Sequence, residues 1–186
     1  MNTFAKGIGF FACLICVGGM PPQISPSTPK PRPNLMKIFS EAATVLRQKT
    51  SVPIRIPTEI PSLDSEDDVY AIVKSADETG YAVVLGAIPD CEGQHVCSYG
   101  TLIGTTRPFK EIDDYEFADR RSKRVVLWNG IRGDYYGSVC AAYCDDSLIV
   151  WTEGKYRYII GLKAEKQSNM IKVANSAIRA GADQWK

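Results

Sequence analysis

Six of the chain's 11 prolines fall within thirteen residues, Pro21-Pro22-Gln23-Ile24-Ser25-Pro26-Ser27-Thr28-Pro29-Lys30-Pro31-Arg32-Pro33. Proline has no backbone N–H and fixes φ, so this tract can join neither a helix interior nor a central strand. It favours extended polyproline geometry and reads as a solvated spacer. Whatever folds must lie to one side of it. On its N-terminal side there is one base, Lys6, and then the uncharged apolar run Gly7 to Met20. Fourteen residues are too few to cross a bilayer core as a helix, which needs about 20. They suit the apolar region of a secretory signal peptide, with Val17-Gly18-Gly19 as the best cleavage site. A lipid-attached Cys13 or Cys16 is disfavoured. Phe10-Phe11 is bulky upstream of the first, and no small residue directly precedes the second. A buried cytosolic helix suits the length too, but the proline tract that follows argues against it. The division is therefore 1–20 signal peptide, 21–33 linker and 34–186 a single domain.

Charge narrows the classes further. The chain has 186 residues with 22 Lys+Arg against 21 Asp+Glu. Residues 1–33 hold three bases and no acid, so the remaining 153 carry 19 bases, 21 acids and a net charge of −2. A near-neutral domain lacks the basic excess of a nucleic-acid binder, and is not a disordered polyelectrolyte. No apolar run in the mature chain is long enough to span a membrane as a helix.

The domain opens with Leu35, Ile38, Phe39, Ala42, Val45 and Leu46 at helical spacing, behind Asn34 as a candidate N-cap. Val52-Pro53 and Ile56-Pro57 end that helix. From Val69 the period becomes that of strands: Val69–Val73, Tyr81–Leu85, Tyr99–Gly104, Arg124–Trp128, Tyr135–Ala141, Leu148–Trp151 and Tyr156–Leu162. Turn residues such as Asp77 to Gly80, Asn129-Gly130 and Glu153-Gly154 separate several of them. Strands in succession without intervening helices predict an antiparallel sheet. Residues Glu165 to Ala180 predict a closing helix, with Ser168 as its candidate N-cap. The expected fold is α+β, an antiparallel sheet of about six to seven strands with an N-terminal and a C-terminal helix packed on it.

Four cysteines remain beyond the linker, Cys91, Cys97, Cys140 and Cys144, spaced C-x5-C and C-x3-C. An even count behind an export signal predicts two disulfides. Each pair brackets one inter-strand loop, and short loops close most readily, so Cys91 is expected with Cys97 and Cys140 with Cys144. Crossed pairing would require both loops to share one end of the sheet. Structural zinc usually keeps two to four residues between paired ligands, which the first loop violates. The C-x-x-C redox motif is absent.

His95, the only histidine, lies between Cys91 and Cys97, where a disulfide removes the thiolate that a Cys–His nucleophile pair needs. No serine sits in a G-x-S-x-G context. Asp64-Ser65-Glu66-Asp67-Asp68 starts like a calcium loop, but Val69 and Ser75 stand where Gly and Glu belong. No catalytic residue, cofactor or metal is therefore assigned. Five acids within residues 111–119 precede Arg120, Arg121, Lys123 and Arg124. Tyr115, Arg120, Arg121 and Arg124 are the candidate ligand or partner surface; the plainer alternative is a solvated loop of mutually offsetting charges. Trp128, Tyr135, Tyr136, Trp151, Tyr156 and Tyr158 either line a groove or, as strand spacing favours, form core and cross-strand pairs.

The stretch CAAYCDDSLIVWTEGKYRYIIGLKAEKQSNMIKVANSAI, with DCEGQHVCSYGTLIG before it, resembles a group of uncharacterised secreted bacterial proteins, chiefly cyanobacterial. Those proteins pair two short Cys–Cys loops with a Trp strand, a Tyr strand and a final helix. The similarity covers roughly residues 69 to 180. A looser likeness extends to extracytoplasmic domains of anti-sigma-factor-like regulators. The resemblance implies location and fold, and hands over no catalytic residue. Two function classes follow. The first is a secreted or periplasmic, non-enzymatic domain that binds a small ligand or an envelope protein. The second is an extracytoplasmic hydrolase-like enzyme using carboxylates, with Asp113 or Asp145 as candidates, in an aromatic cleft.

Overall fold

A computed structural model describes residues 34–63, 68–108 and 120–181. Helix α1, Leu35–Lys49, begins at Asn34, whose side chain accepts the Lys37 N–H at 3.3 Å. Its face of Leu35, Phe39, Ala42, Ala43 and Leu46 is buried, and Arg47 and Lys49 lie in the last turn, where the helix dipole favours bases. Seven strands follow: β1 Tyr70–Asp77, β2 Gly80–Gly86, β3 Ser98–Thr105, β4 Ser122–Val126, β5 Arg132–Tyr136, β6 Asp146–Glu153 and β7 Tyr156–Lys163. Helix α2, Gln167–Ala180, closes the described chain. The fold is α+β.

All the strand pairs among the described residues are antiparallel, in the order β1-β2-β3-β7-β6-β5-β4. Two meanders, β1-β2-β3 and β4-β5-β6-β7, are thus joined through the β3–β7 pair. The β1–β2 turn forms as its sequence demands: Asp77 Oδ1 accepts the N–H of Thr79 at 2.7 Å and that of Gly80 at 3.1 Å.

Side chains alternate between the two faces of the sheet. One face presents Tyr81, Val83, Leu85, Leu102, Tyr135, Ile149, Trp151, Tyr158, Ile160 and Leu162 to both helices in one core. The aromatic strand residues Tyr135, Trp151 and Tyr158 are core members, and Trp151 stacks on Tyr158 at 5.2 Å between ring centroids.

The segment 50–63 does more than end α1. Val52, Ile54, Ile56, Ile60 and Leu63 are buried in the main core, so this extended strap is a layer of the fold. Side chains supply several of its backbone hydrogen bonds, since it belongs to no sheet. Tyr158 Oη donates to Pro53 O at 3.1 Å, the Arg55 N–H donates to Tyr81 Oη at 2.9 Å, and Ser176 Oγ accepts from Thr58 and Glu59 N–H at 3.2 and 3.3 Å.

Three local expectations need correction. Trp128 does not belong to β4; with Asn129 and Gly130 it forms a 3-10 turn in which Asn129 takes φ 56°, a left-handed value that Asn tolerates. Strand β5 runs from Arg132 to Tyr136 and stops short of Ala141, because the Val139 N–H turns to the Asp145 carboxylate at 2.6 Å and leaves the ladder. The cap of α2 is Lys166 rather than Ser168, and the Glu165 carboxylate accepts from Lys166 N–H and Asn169 Nδ2 at 2.8 and 2.9 Å. The signal peptide, the linker, Asp64 to Asp67, and the acidic run 111–119 lie outside the described residues.

Candidate functional site: a concavity beneath two disulfide loops

The sheet face opposite the helices carries Ala82, Val84, Thr101, Ile103, Leu148, Val150 and Ile159 from successive strands. Leu148, Val150 and Ile159, with Ile103 and Tyr136 against them, form a second, smaller apolar cluster. Two loops rise at one end of this face, residues 87–97 between β2 and β3, and residues 137–145 between β5 and β6. Cys91 is bonded to Cys97, with Cα atoms 5.8 Å apart, and Cys140 to Cys144, with Cα atoms 4.0 Å apart. The loops do share an end of the sheet, yet each is closed on itself. They also touch. The rings of His95 and Tyr143 lie 4.7 Å apart, and Lys163 of β7 donates from Nζ to the His95 carbonyl. Gly86 is needed where the first loop folds back, because a Cβ there would lie 2.6 Å from the Cβ of Cys91.

Arg120 braces the second loop. Its Nη2 donates to Gly137 O at 2.8 Å, Asp145 Oδ1 at 3.0 Å and Asp146 O at 2.7 Å. Asp145 Oδ1 also accepts the Val139 N–H, so that carboxylate is committed to holding the loop.

Between the loops and the sheet lies a concavity of about 760 Å³. That volume suits a drug-sized ligand, for which sites span roughly 300–1,000 Å³. Its floor is apolar or small (Ala82, Val84, Thr101, Ile103 and Leu148), and its rim carries Lys74, Glu92, His95, Arg120, Asp146 and Lys163. Asp146 opens β6 and leans over Gly161 of β7. A Cβ on Gly161 would lie 3.1 Å from Asp146 Oδ2, so the missing side chain makes room for the carboxyl. Burial raises the proton affinity of this carboxyl above the ordinary aspartate value, with Asp145 adding to the shift; the positive fields of His95, Lys163 and Arg120 oppose it.

The residues picked from sequence divide. Arg120 lies at the concavity. Arg121 is exposed just before β4, and Arg124 lies on the edge strand β4, paired with Asp134 across to β5 at 3.2 Å. Tyr115 and Asp113 lie outside the described residues. The cleft contains no member of the Trp151–Tyr158 pair, which faces the helices. Sequence reading missed Lys74, Asp146 and Lys163. The available signal was their position in strands whose neighbours at odd spacing are core residues, which puts them on the opposite face. Among the described residues no group of three or more His, Cys, Asp or Glu gathers as a metal site, and no helix is long and apolar enough to cross a membrane. Comparison with family models, curated proteins and solved structures returns no match.

Proposed function

We propose that this chain is an extracytoplasmic, non-enzymatic domain that binds a small ligand in the concavity beneath its disulfide loops. One observation carries the proposal. The sheet completes its core on one face, while the other face keeps an apolar floor ringed by charges, under loops that disulfides hold in place. Pre-ordered loops around an apolar floor lower the ordering penalty of binding. The disulfides support export, since such bonds persist outside the reducing cytosol. The apolar run and spacer of residues 1–33 support it as well. An envelope protein that seats a side chain in the same cavity is the competing occupant.

The test uses protein expressed from the full sequence and recovered from the extracytoplasmic fraction. Its N-terminal sequence should contain neither Cys13 nor Cys16, and an intact, reduced cytosolic chain would contradict export. Titration of that protein with 1-octanol should shift backbone amide resonances of residues 82–84, 101–103, 146–148 and 161–163, and leave those of α1 unmoved. Ala82→Phe, which fills the floor, should abolish the shifts. Shifts confined to the helices, or surviving Ala82→Phe, would place the site elsewhere.

A further inference from the structure

Exposed large apolar side chains are not scattered over this molecule. Of the eight among the described residues, four lie on the two disulfide loops: Ile88 and Val96 on the first, Val139 and Tyr143 on the second. The contact between the His95 and Tyr143 rings joins the loops into one surface, and the disulfides hold it in shape. The loops' own charge has one sign. Residues 87–97 and 137–145 contain Asp90, Glu92 and Asp145 and no Lys or Arg. Asp145 is bridged to Arg120, and Lys163 Nζ is held at the His95 carbonyl. The exposed Asp90 and Glu92 remain as the open acids beside the apolar groups.

Two more of the eight, Val126 and Trp128, lie at the opposite end of the sheet. Val126 pairs with Arg132 at the start of β5, whereas the second loop leaves from the other end of that five-residue strand, about 14 Å away. This corner is also held in place, since Asn175 Oδ1 accepts the Trp128 N–H at 2.6 Å. Its charge is the reverse: Arg179 lies over the Trp128 ring at 4.8 Å, and Arg132 is exposed beside Val126. The acids of the neighbouring strands are committed, Asp134 to Arg124 and Glu153 to Arg55. Clustered exposed apolar groups mark interaction sites, and Tyr, Trp and Arg are the residue types that anchor them.

We propose that the two patches are complementary halves of one contact: the acid-flanked loop tips of one molecule dock on the arginine-flanked β4–β5 corner of a second copy. Tip on tip would set Asp90 and Glu92 against like charge, and corner on corner would do the same for Arg132 and Arg179, so the contact is head to tail. Each pair then keeps a free tip and a free corner, and molecules add in a row unless the rotation closes a ring. Anionic lipid is a poorer occupant of the tips, because it too meets Asp90 and Glu92.

Sedimentation velocity of the full chain tests this. The sedimentation coefficient should rise with protein concentration, and the rise should weaken as salt goes from about 20 to about 300 mM. Val96→Ser with Tyr143→Ser strips the tips, and Val126→Ser with Trp128→Ser strips the corner; melting curves show that both double variants fold. Each alone should associate at least tenfold more weakly than wild type. Mixed in equal amounts they should form a two-chain species that grows no further, since one supplies the intact tips and the other the intact corner. A wild-type chain monomeric up to about 1 mM would overturn the proposal. So would association that survives both double variants, that ignores salt, or that persists as a dimer when only the corner is stripped, the mark of a symmetric tip contact. A monomer that floats with phosphatidylglycerol vesicles and loses them when the tips are stripped would assign the tips to a membrane instead.

Discussion

Tyr158→Ala should lower the melting temperature by about 10–15 °C. The side chain is 1 % exposed, stacks on Trp151, and donates a hydrogen bond from Oη to Pro53 O. Truncating a buried aromatic typically costs about 3–5 kcal/mol, and about 1 kcal/mol shifts the melting point of a domain this size by about 2–4 °C. Tyr158→Phe isolates the hydroxyl. It keeps the packing, leaves the Pro53 carbonyl without its donor, and should cost about 1 kcal/mol. Thermal melts of the two variants check this account. The aromatic strand residues serve the fold, so the amide shifts that 1-octanol produces in the floor residues should be unchanged at a temperature where Tyr158→Ala is still folded. Lost binding with unchanged melting would move the functional site to the helix-covered face.

Glu153→Gln should destabilise by about 2–3 kcal/mol at neutral pH, less than the roughly 3–5 kcal/mol of a fully buried pair because water reaches both partners. Arg55 Nε and Nη2 meet the two carboxylate oxygens of Glu153 at 3.0 and 2.8 Å, and Trp151 Nε1 donates to one of them at 2.9 Å. The side chains are 15 % and 21 % exposed, so removing the negative charge leaves a poorly solvated guanidinium. Burial alone would raise the proton affinity of Glu153, but the hydrogen bonds from Arg55 and Trp151 outweigh it and hold the carboxyl below the ordinary glutamate value. The sign follows. With the folded value depressed, the unfolded chain binds the proton more readily. The stabilisation is then complete above the ordinary glutamate value and is lost as pH falls through the folded one. Denaturant midpoints measured from pH 7 down to pH 3 should converge for wild type and Glu153→Gln. Parallel curves with no gap at pH 7 would show that the pair contributes nothing to holding the strap.

That strap marks the boundary of what the sequence disclosed. Period and punctuation identified α1, seven strand regions and α2, because each buries one face against the same core. The pairing of Cys91 with Cys97 and of Cys140 with Cys144 was legible from loop length. Val52 to Leu63 was not legible as a core layer, since its backbone partners are Tyr81, Tyr158 and Ser176, residues 26 to 118 positions away along the chain. The β3–β7 junction was hidden for a related reason: pairing between non-consecutive strands leaves no local signal. The concavity stood in between. Arg120 was singled out for charge alone, while its role in bracing the second loop depends on carbonyls at Gly137 and Asp146 that only the folded chain brings together. Lys74, Asp146 and Lys163 come from three strands, β1, β6 and β7, and become neighbours of one cavity only through the strand order.

On this account the helix-covered face holds the fold together, and the open face carries Asp146, a carboxyl whose proton affinity burial raises. A carboxyl whose folded proton affinity is raised opposes folding when ionised: wild type should lose stability as pH rises from below the ordinary aspartate value through the raised one. The most direct measurement is the melting temperature of Asp146→Asn against wild type across that range. The account predicts similar values at the acid end and a higher melting temperature for Asp146→Asn at pH 7. A lower melting temperature for Asp146→Asn at pH 7 would show that the carboxylate is a structural prop, and would contradict the account in which the helix-covered face holds the fold together.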